Sequence, residues 1–240
     1  MNPSLSEIAI VLDRSGSMEA IREATIEGFN AFLKSQQEAP GLVRLTLVQF
    51  DHQQIVVHDA VPVAEITPLD HDTFVPRGST ALLDAIGDTI DRLGRRFAAM
   101  SEHQRPGDVT VAILTDGHEN CSRRFSWNQV SDLIQHQTDK YSWDFLYLGA
   151  DADTIATASR LSIAADSSAT YKLGRQGVGA VYSSMSRKVS GKRLSKQGLA
   201  SAREEADTKA SMSDLLDEEE KRRRPGEPGS TGAGPRDHDS

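Results

Sequence analysis

The sequence predicts an α/β domain with a doubly wound, mostly parallel central sheet and helices on both faces. Three observations lead there. Short apolar runs, Ile8-Ala9-Ile10-Val11-Leu12 and Val109 to Leu114, read as strands buried on both faces. Longer stretches with apolar residues at helical spacing alternate with such runs, as in successive βα units. Both runs end on an acid, Asp13 and Asp116, and open sheets of this class gather ligands at the carboxyl ends of their strands.

The elements follow in order. Residues 6 to 13 form the first strand. Met18, Ile21, Thr25, Phe29 and Phe32 lie on one face of a helix over residues 18 to 38, which Pro40-Gly41 stops. Val43 to Phe50 and Ile55 to Val63 are the second and third strands, with Asp51 to Gln54 as the hairpin between them. Pro62, Pro68 and Pro76 mark an irregular loop leading to Thr80. A helix over 80 to 100 buries Leu82, Leu83, Ile86, Ile90, Leu93 and Phe97. Gly107-Asp108 turns into the fourth strand, which ends at Asp116. A polar loop from His118 to Trp127 precedes a short helix over 128 to 138. Trp143 to Leu148 is the fifth strand, 153 to 161 another short helix, and Ala169 to Leu173 an edge strand. Val178, Val181, Tyr182, Met185 and Val189 line one face of a final helix.

Chemistry concentrates where the two apolar runs end. After Leu12 come Asp13, Ser15 and Ser17, three oxygen donors on one turn, with Gly16 allowing a tight curl. Hard oxygen donors suit a hard cation such as Mg²⁺. Pro76-Arg77-Gly78-Ser79-Thr80 brings a hydroxyl to the start of a helix, and Thr115-Asp116-Gly117 brings a second acid. Simple helix capping by Ser15 or Ser17 is the plainer reading of the first turn. It leaves Thr80 and Asp116 unexplained.

This set, Asp-x-Ser-x-Ser, then Thr, then Asp, resembles the metal ion-dependent adhesion site of von Willebrand factor type A domains. The resemblance covers roughly residues 5 to 190, and Asp13, Ser15, Ser17, Thr80 and Asp116 match all five positions. It implies a Rossmann-like fold over residues 1–198 and the strands of Asp13 and Asp116 side by side. It also implies Mg²⁺ (or Mn²⁺) as the cofactor. Ser15 and Ser17 would bind the metal directly, Thr80 directly or through water, and Asp13 and Asp116 mostly through water. With few charged ligands the ion would keep an open position for an anion, a carboxylate from an Asp or Glu of a partner protein. In the family, shifts at this site couple to a slide of the last helix. The resemblance thus implies a protein-binding module with no catalytic residues. Cytoplasmic relatives in bacteria and phages serve as docking units, for example beside an AAA+ ATPase or among stress-response components.

Composition sets further bounds. The chain has 240 residues, 38% hydrophobic with few aromatics, and a formal charge of −8, which argues against a general nucleic-acid binder. Cys121 is the lone cysteine, so no intrachain disulfide forms, which fits a reducing compartment. Met1 to Glu7 carry no basic region and no long apolar stretch, and no run is long enough to span a membrane. The expectation is a cytoplasmic protein. An aliphatic core, the absence of a signal peptide and a Gly/Pro/Arg-rich end fit a bacterial or phage origin.

Other classes compete. A strand ending in aspartate also opens the haloacid dehalogenase phosphatases, but those need a second acid where Ser15 stands. A bound Mg²⁺ could activate water for hydrolysis, and His118 is the nearest candidate base. His118-Glu119 lacks the second histidine of a zincin, since Ser122 holds that place. Gly174, Gly177 and Gly179 have the wrong spacing for a dinucleotide loop, and Ser190-Gly191-Lys192 lacks the upstream glycine of a P-loop. Arg175, Arg187, Lys188, Lys192, Arg193 and Lys196 make a basic helix that could track phosphates. A solvated face, paired with acids downstream, is the favoured alternative. Asp151 and Asp153 read as caps for the helix after the fifth strand.

From about Leu199 the apolar residues thin out. Residues 199–240 hold Asp217-Glu218-Glu219-Glu220, then Lys221-Arg222-Arg223-Arg224, then a Pro/Gly/Ser-rich end. Such a segment buries too little surface to offset its ordering entropy, so a disordered charged tail is expected. The acid run could reach back to the metal position as an internal ligand.

Overall fold

The computed structural model describes residues 1–223. Strand β1 (Asn2–Asp13) lies in the middle of a six-stranded sheet, between β2 (Leu42–Phe50) and β4 (Pro106–Thr115), and is parallel to both. Strands β5 (Asp144–Gly149) and β6 (Ser168–Thr170) continue in parallel beyond β4, while β3 (Gln54–Pro62) runs antiparallel on the far side of β2. The order is β3-β2-β1-β4-β5-β6. The chain therefore winds outward one way through β2 and β3, then the other way through β4, β5 and β6. The reversal falls between β1 and β4, where such sheets open a crevice at their carboxyl ends.

Burial on both faces explains why β1 reads as a continuous apolar run. Ile8, Ile10 and Leu12 pack toward α1 (Arg22–Glu38) and α5 (Arg175–Lys196), meeting Phe29, Phe32, Val181 and Met185. Ala9 and Val11 point the opposite way with Val111 and Ile113. They meet Ile86 and Ile90 of α2 (Leu82–Ala98) and Val130 and Ile134 of α3 (Trp127–Tyr141). Each buried Leu or Ile contributes about 1.5–3 kcal/mol, so two such layers hold β1 firmly. A 3₁₀ turn, Gly16–Ile21, joins β1 to α1 and takes up the first turn of the helix expected from residue 18. The short α4 (Thr154–Arg160) follows β5. Among the described residues no helix is long and apolar enough to cross a membrane.

The stretch expected to be disordered from residue 199 is different. It carries α6 (Ala202–Lys209) and α7 (Met212–Arg223), so the folded unit runs past residue 198 to Arg223. Few apolar residues suffice because both helices lie against the finished α5. Met212, Leu215 and Leu216 are fully buried there. Ser201 and Glu204 form a reciprocal capping box, and the Asp214 N–H donates to Ser211 Oγ at 3.0 Å. Residues 224–240 of the expected tail lie outside the described residues.

Candidate metal centre

The carboxyl ends of β1 and β4 carry Asp13 and Asp116 to the reversal point of the sheet. Asp13 is fully buried. Its Oδ1 accepts the Ser15 N–H at 2.6 Å and its Oδ2 accepts the Thr115 hydroxyl at 2.6 Å. Ser15 Oγ and Ser17 Oγ stand 3.1 Å apart, and Ser17 Oγ donates to Asp116 Oδ1 at 2.6 Å. A side chain at Gly117 would stand 3.5 Å from Thr80 Oγ1 and 3.6 Å from Ser17 Oγ. The bare Gly117 therefore leaves these two hydroxyls a shared space. All five residues singled out in the sequence converge on one loop cluster.

The electrostatics of the cluster are unbalanced. Burial pushes the Asp13 carboxyl up to about 6, against the hydrogen bonds from Thr115 and Ser15. Burial also raises Asp116, against its bond from Ser17. No Lys, Arg or His forms an ion pair with either acid among the described residues. A hard divalent cation fits this donor set, because it would supply the missing positive charge to two acids and three hydroxyls. Among the described residues no group of three or more His, Cys, Asp or Glu could hold a metal, so hydroxyls are needed to complete any such centre.

Residues outside the motif hold the loops in place. Asp51, at the end of β2, is fully buried and pairs with Arg14 Nη2 and Arg77 Nε, each at 2.9 Å. Its carbonyl accepts the Ala81 N–H at 2.9 Å. The Arg77 N–H donates to Arg14 O at 2.8 Å and the Gly16 N–H to Gly78 O at 3.2 Å, which straps the Thr80 loop to the β1 turn. Gly78 has φ +69°, a conformation that favours glycine, and a Cβ there would sit 2.3 Å from His52 Nδ1 and push that half-exposed ring aside. From the other side Asn120 Oδ1 accepts the Thr80 N–H at 2.9 Å, and the Asn120 N–H donates to Thr80 O at 3.0 Å. Glu119 Oε2 accepts the Leu83 N–H at 2.9 Å at the start of α2. Asp84 accepts three backbone N–H groups, from Arg123, Arg124 and Phe125. The sequence reading missed Asp51, Asp84, Glu119 and Asn120 as site supports. The one signal available was a dense run of polar residues flanking each motif piece.

The rival features fall elsewhere. His118 is largely exposed, with Nδ1 3.7 Å from Asp151 Oδ2, and forms no hydrogen bond with Asp13 or Asp116. Asp151 Oδ1 accepts the Asp153 N–H at 2.8 Å; Asp153 itself makes no side-chain cap, contrary to the expectation for it. The basic face of α5 is engaged within the chain, four of its six cations in ion pairs and two on backbone carbonyls. Arg175 pairs with Glu27, Arg187 with Asp207, Glu218 and Glu219, Lys192 with Asp144, and Lys196 with Asp108. Lys188 Nζ donates to the carbonyls of Thr208 and Ala210, and Arg193 Nη1 to that of Pro40. This is the paired face favoured over a phosphate track. Of the acid run offered as an internal ligand, Glu218 and Glu219 are taken by Arg187, and Glu220 by Lys172 at 2.5 Å.

No family model matches the sequence, and no curated protein matches it. Solved structures match its shape. The pilus adhesin SpaC from Lactobacillus rhamnosus GG, in its open conformation, has a TM-score of 0.58 at 15% identity, covering 80% of this chain and 30% of that one. Proximal thread matrix protein 1 from the mussel byssus, with a zinc-occupied MIDAS motif, has a TM-score of 0.51 at 15% identity, covering 80% of this chain and 46% of that one. A von Willebrand factor type A protein from Catenulispora acidiphila has a TM-score of 0.50 at 14% identity, covering 78% and 42%. The chain spans less than half the length of each. At these identities the likeness concerns architecture, and the architecture is that of the von Willebrand factor type A fold.

Proposed function

We propose that this chain is a metal-dependent protein-binding module. Asp13, Ser15, Ser17, Thr80 and Asp116 hold Mg²⁺ (or Mn²⁺), and an Asp or Glu carboxylate of a partner protein completes the centre. The observation that carries this reading is the convergence of three hydroxyls with a buried acid, Asp13, and a half-buried one, Asp116, neither of which has a cationic partner among the described residues. Both Asp13 oxygens already accept hydrogen bonds, which suits an outer position for that acid. Ser17 gives its proton to Asp116 and so turns a lone pair outward. Neutral hydroxyls next to the ion leave it positive, and the metal then supplies an attraction for an anion. The reading assigns no catalytic residue. It places the protein in the cytoplasm, with a partner of the AAA+ ATPase or stress-response kind.

Calorimetric titration with Mg²⁺ and Mn²⁺ tests it. The wild type is expected to bind, and Asp13→Ala and Thr80→Ala to lose binding while keeping the circular dichroism of the folded chain. A pull-down with and without chelator then reads the partner. Equal metal binding by all three chains would sink the assignment.

A further inference from the structure

Arg77 stands beside the centre with a role the metal does not use. Asp51 carries one negative charge, and two guanidiniums share its Oδ2 at 2.9 Å, those of Arg14 and Arg77. Its Oδ1 is occupied by the Gln53 N–H at 2.7 Å, with His52 Nδ1 at 3.2 Å. The cluster therefore holds a surplus positive charge. Arg14 is buried, whereas the Arg77 side chain is 50% exposed, so the surplus reaches solvent at Arg77. Only Nε of Arg77 is firmly tied. Its Nη2 reaches Gln53 Oε1 at 3.5 Å, and Nη1 has no partner among the described residues. A guanidinium anchored through Nε presents the fork of its two outer nitrogens, the geometry that takes a carboxylate in two hydrogen bonds. The anchoring also removes rotamer freedom before anything binds, which lowers the entropic cost of recognition.

Its placement links it to the centre. Arg77 lies three residues before Thr80. Its N–H is bonded to the carbonyl of Arg14, the residue between Asp13 and Ser15. One strap thus carries both the Thr80 hydroxyl and the fork. The whole chain has a formal charge of −8, which repels an acidic partner at long range, so a local cation beside the centre has a clear use.

We propose that Arg77 is a second anchor for the partner: the segment bound at the metal carries two carboxylates, one for the metal and one for the Arg77 fork. This rests on the metal-dependent binding proposed above and names the class of partner as a diacidic segment.

The test selects a random peptide library, displayed on phage, against the immobilised full chain in Mg²⁺, with elution by EDTA. The wild type is expected to enrich peptides with two acids at a fixed spacing. Arg77→Gln keeps a donor toward Asp51 and is expected to enrich peptides with a single acid. Calorimetry with an enriched peptide, and with the same peptide carrying Asn at either acid, then gives the size. Losing the Arg77 partner is expected to weaken wild-type binding about tenfold, the scale of one charge-assisted pair, and to leave Arg77→Gln unaffected. Arg77→Lys, which keeps the charge without the fork, is expected to fall between. Identical diacidic enrichment by wild type and Arg77→Gln overturns the proposal, and so does single-acid enrichment by both. Absence of any EDTA-eluted enrichment from the wild type instead overturns the metal-dependent reading beneath it, and the second anchor with it.

Discussion

Thr115 lies outside the five-residue motif, yet its hydroxyl donates to Asp13 Oδ2 at 2.6 Å and its backbone carbonyl accepts from Tyr171 Oη at 3.3 Å. Thr115→Val would leave a buried carboxylate oxygen short of a donor, at a cost of about 1–3 kcal/mol. We expect a lower urea midpoint and weaker Mg²⁺ binding together, because Asp13 would be free to turn. A stable variant with unchanged metal affinity would show that the bond does not orient Asp13. At this level the sequence declared the donors and hid their supports. Asp13, Ser15, Ser17, Thr80 and Asp116 stand in short patterns at the ends of elements, and patterns of that kind can be read along the chain. Asp51, Asp84, Glu119 and Asn120 act through backbone groups far away in sequence, and no local spacing announces such pairings.

The helices after α5 show where composition misleads. The expectation of a disordered tail counted apolar residues as though the segment had to build its own core. Met212, Leu215 and Leu216 instead complete a core that β1, α1 and α5 had begun. The signals that mattered were local: Ser201 with Glu204, and Ser211 with Asp214, each a cap at the right spacing. The strands and larger helices were readable because their apolar periods are long, and they differ from expectation mainly at their ends, as with α2 at Leu82–Ala98. Arg187 joins the late helices to α5 through Asp207, Glu218 and Glu219. Its side chain is 15% exposed and those of Asp207 and Glu219 about as little, so solvent screens these pairs weakly. Arg187→Ala strands acids at a largely buried seam, and we expect a loss of about 3 kcal/mol in urea unfolding. A loss below about 0.5 kcal/mol would class the seam with ordinary surface pairs.

For the molecule as a whole, a ligand that binds only the folded state raises stability by mass action. Mg²⁺ at a hundred times its dissociation constant adds about 2.7 kcal/mol, which for a chain of this length is a rise in Tm of roughly 5–10 °C. We expect that rise in a thermal melt, its reversal by EDTA, and no rise in Asp13→Ala. A wild-type melt indifferent to Mg²⁺ and Mn²⁺ would count against the centre. The sheet adds a practical corollary. β1 runs from Asn2 to Asp13, and at about 3.3 Å per residue its two ends lie roughly 36 Å apart. A tether attached at Met1 hangs from the opposite pole to the loop cluster. Chains fixed to a bead or sensor by that end would all offer the same pole to solution, so captured partners could be released by chelation without unfastening the bait.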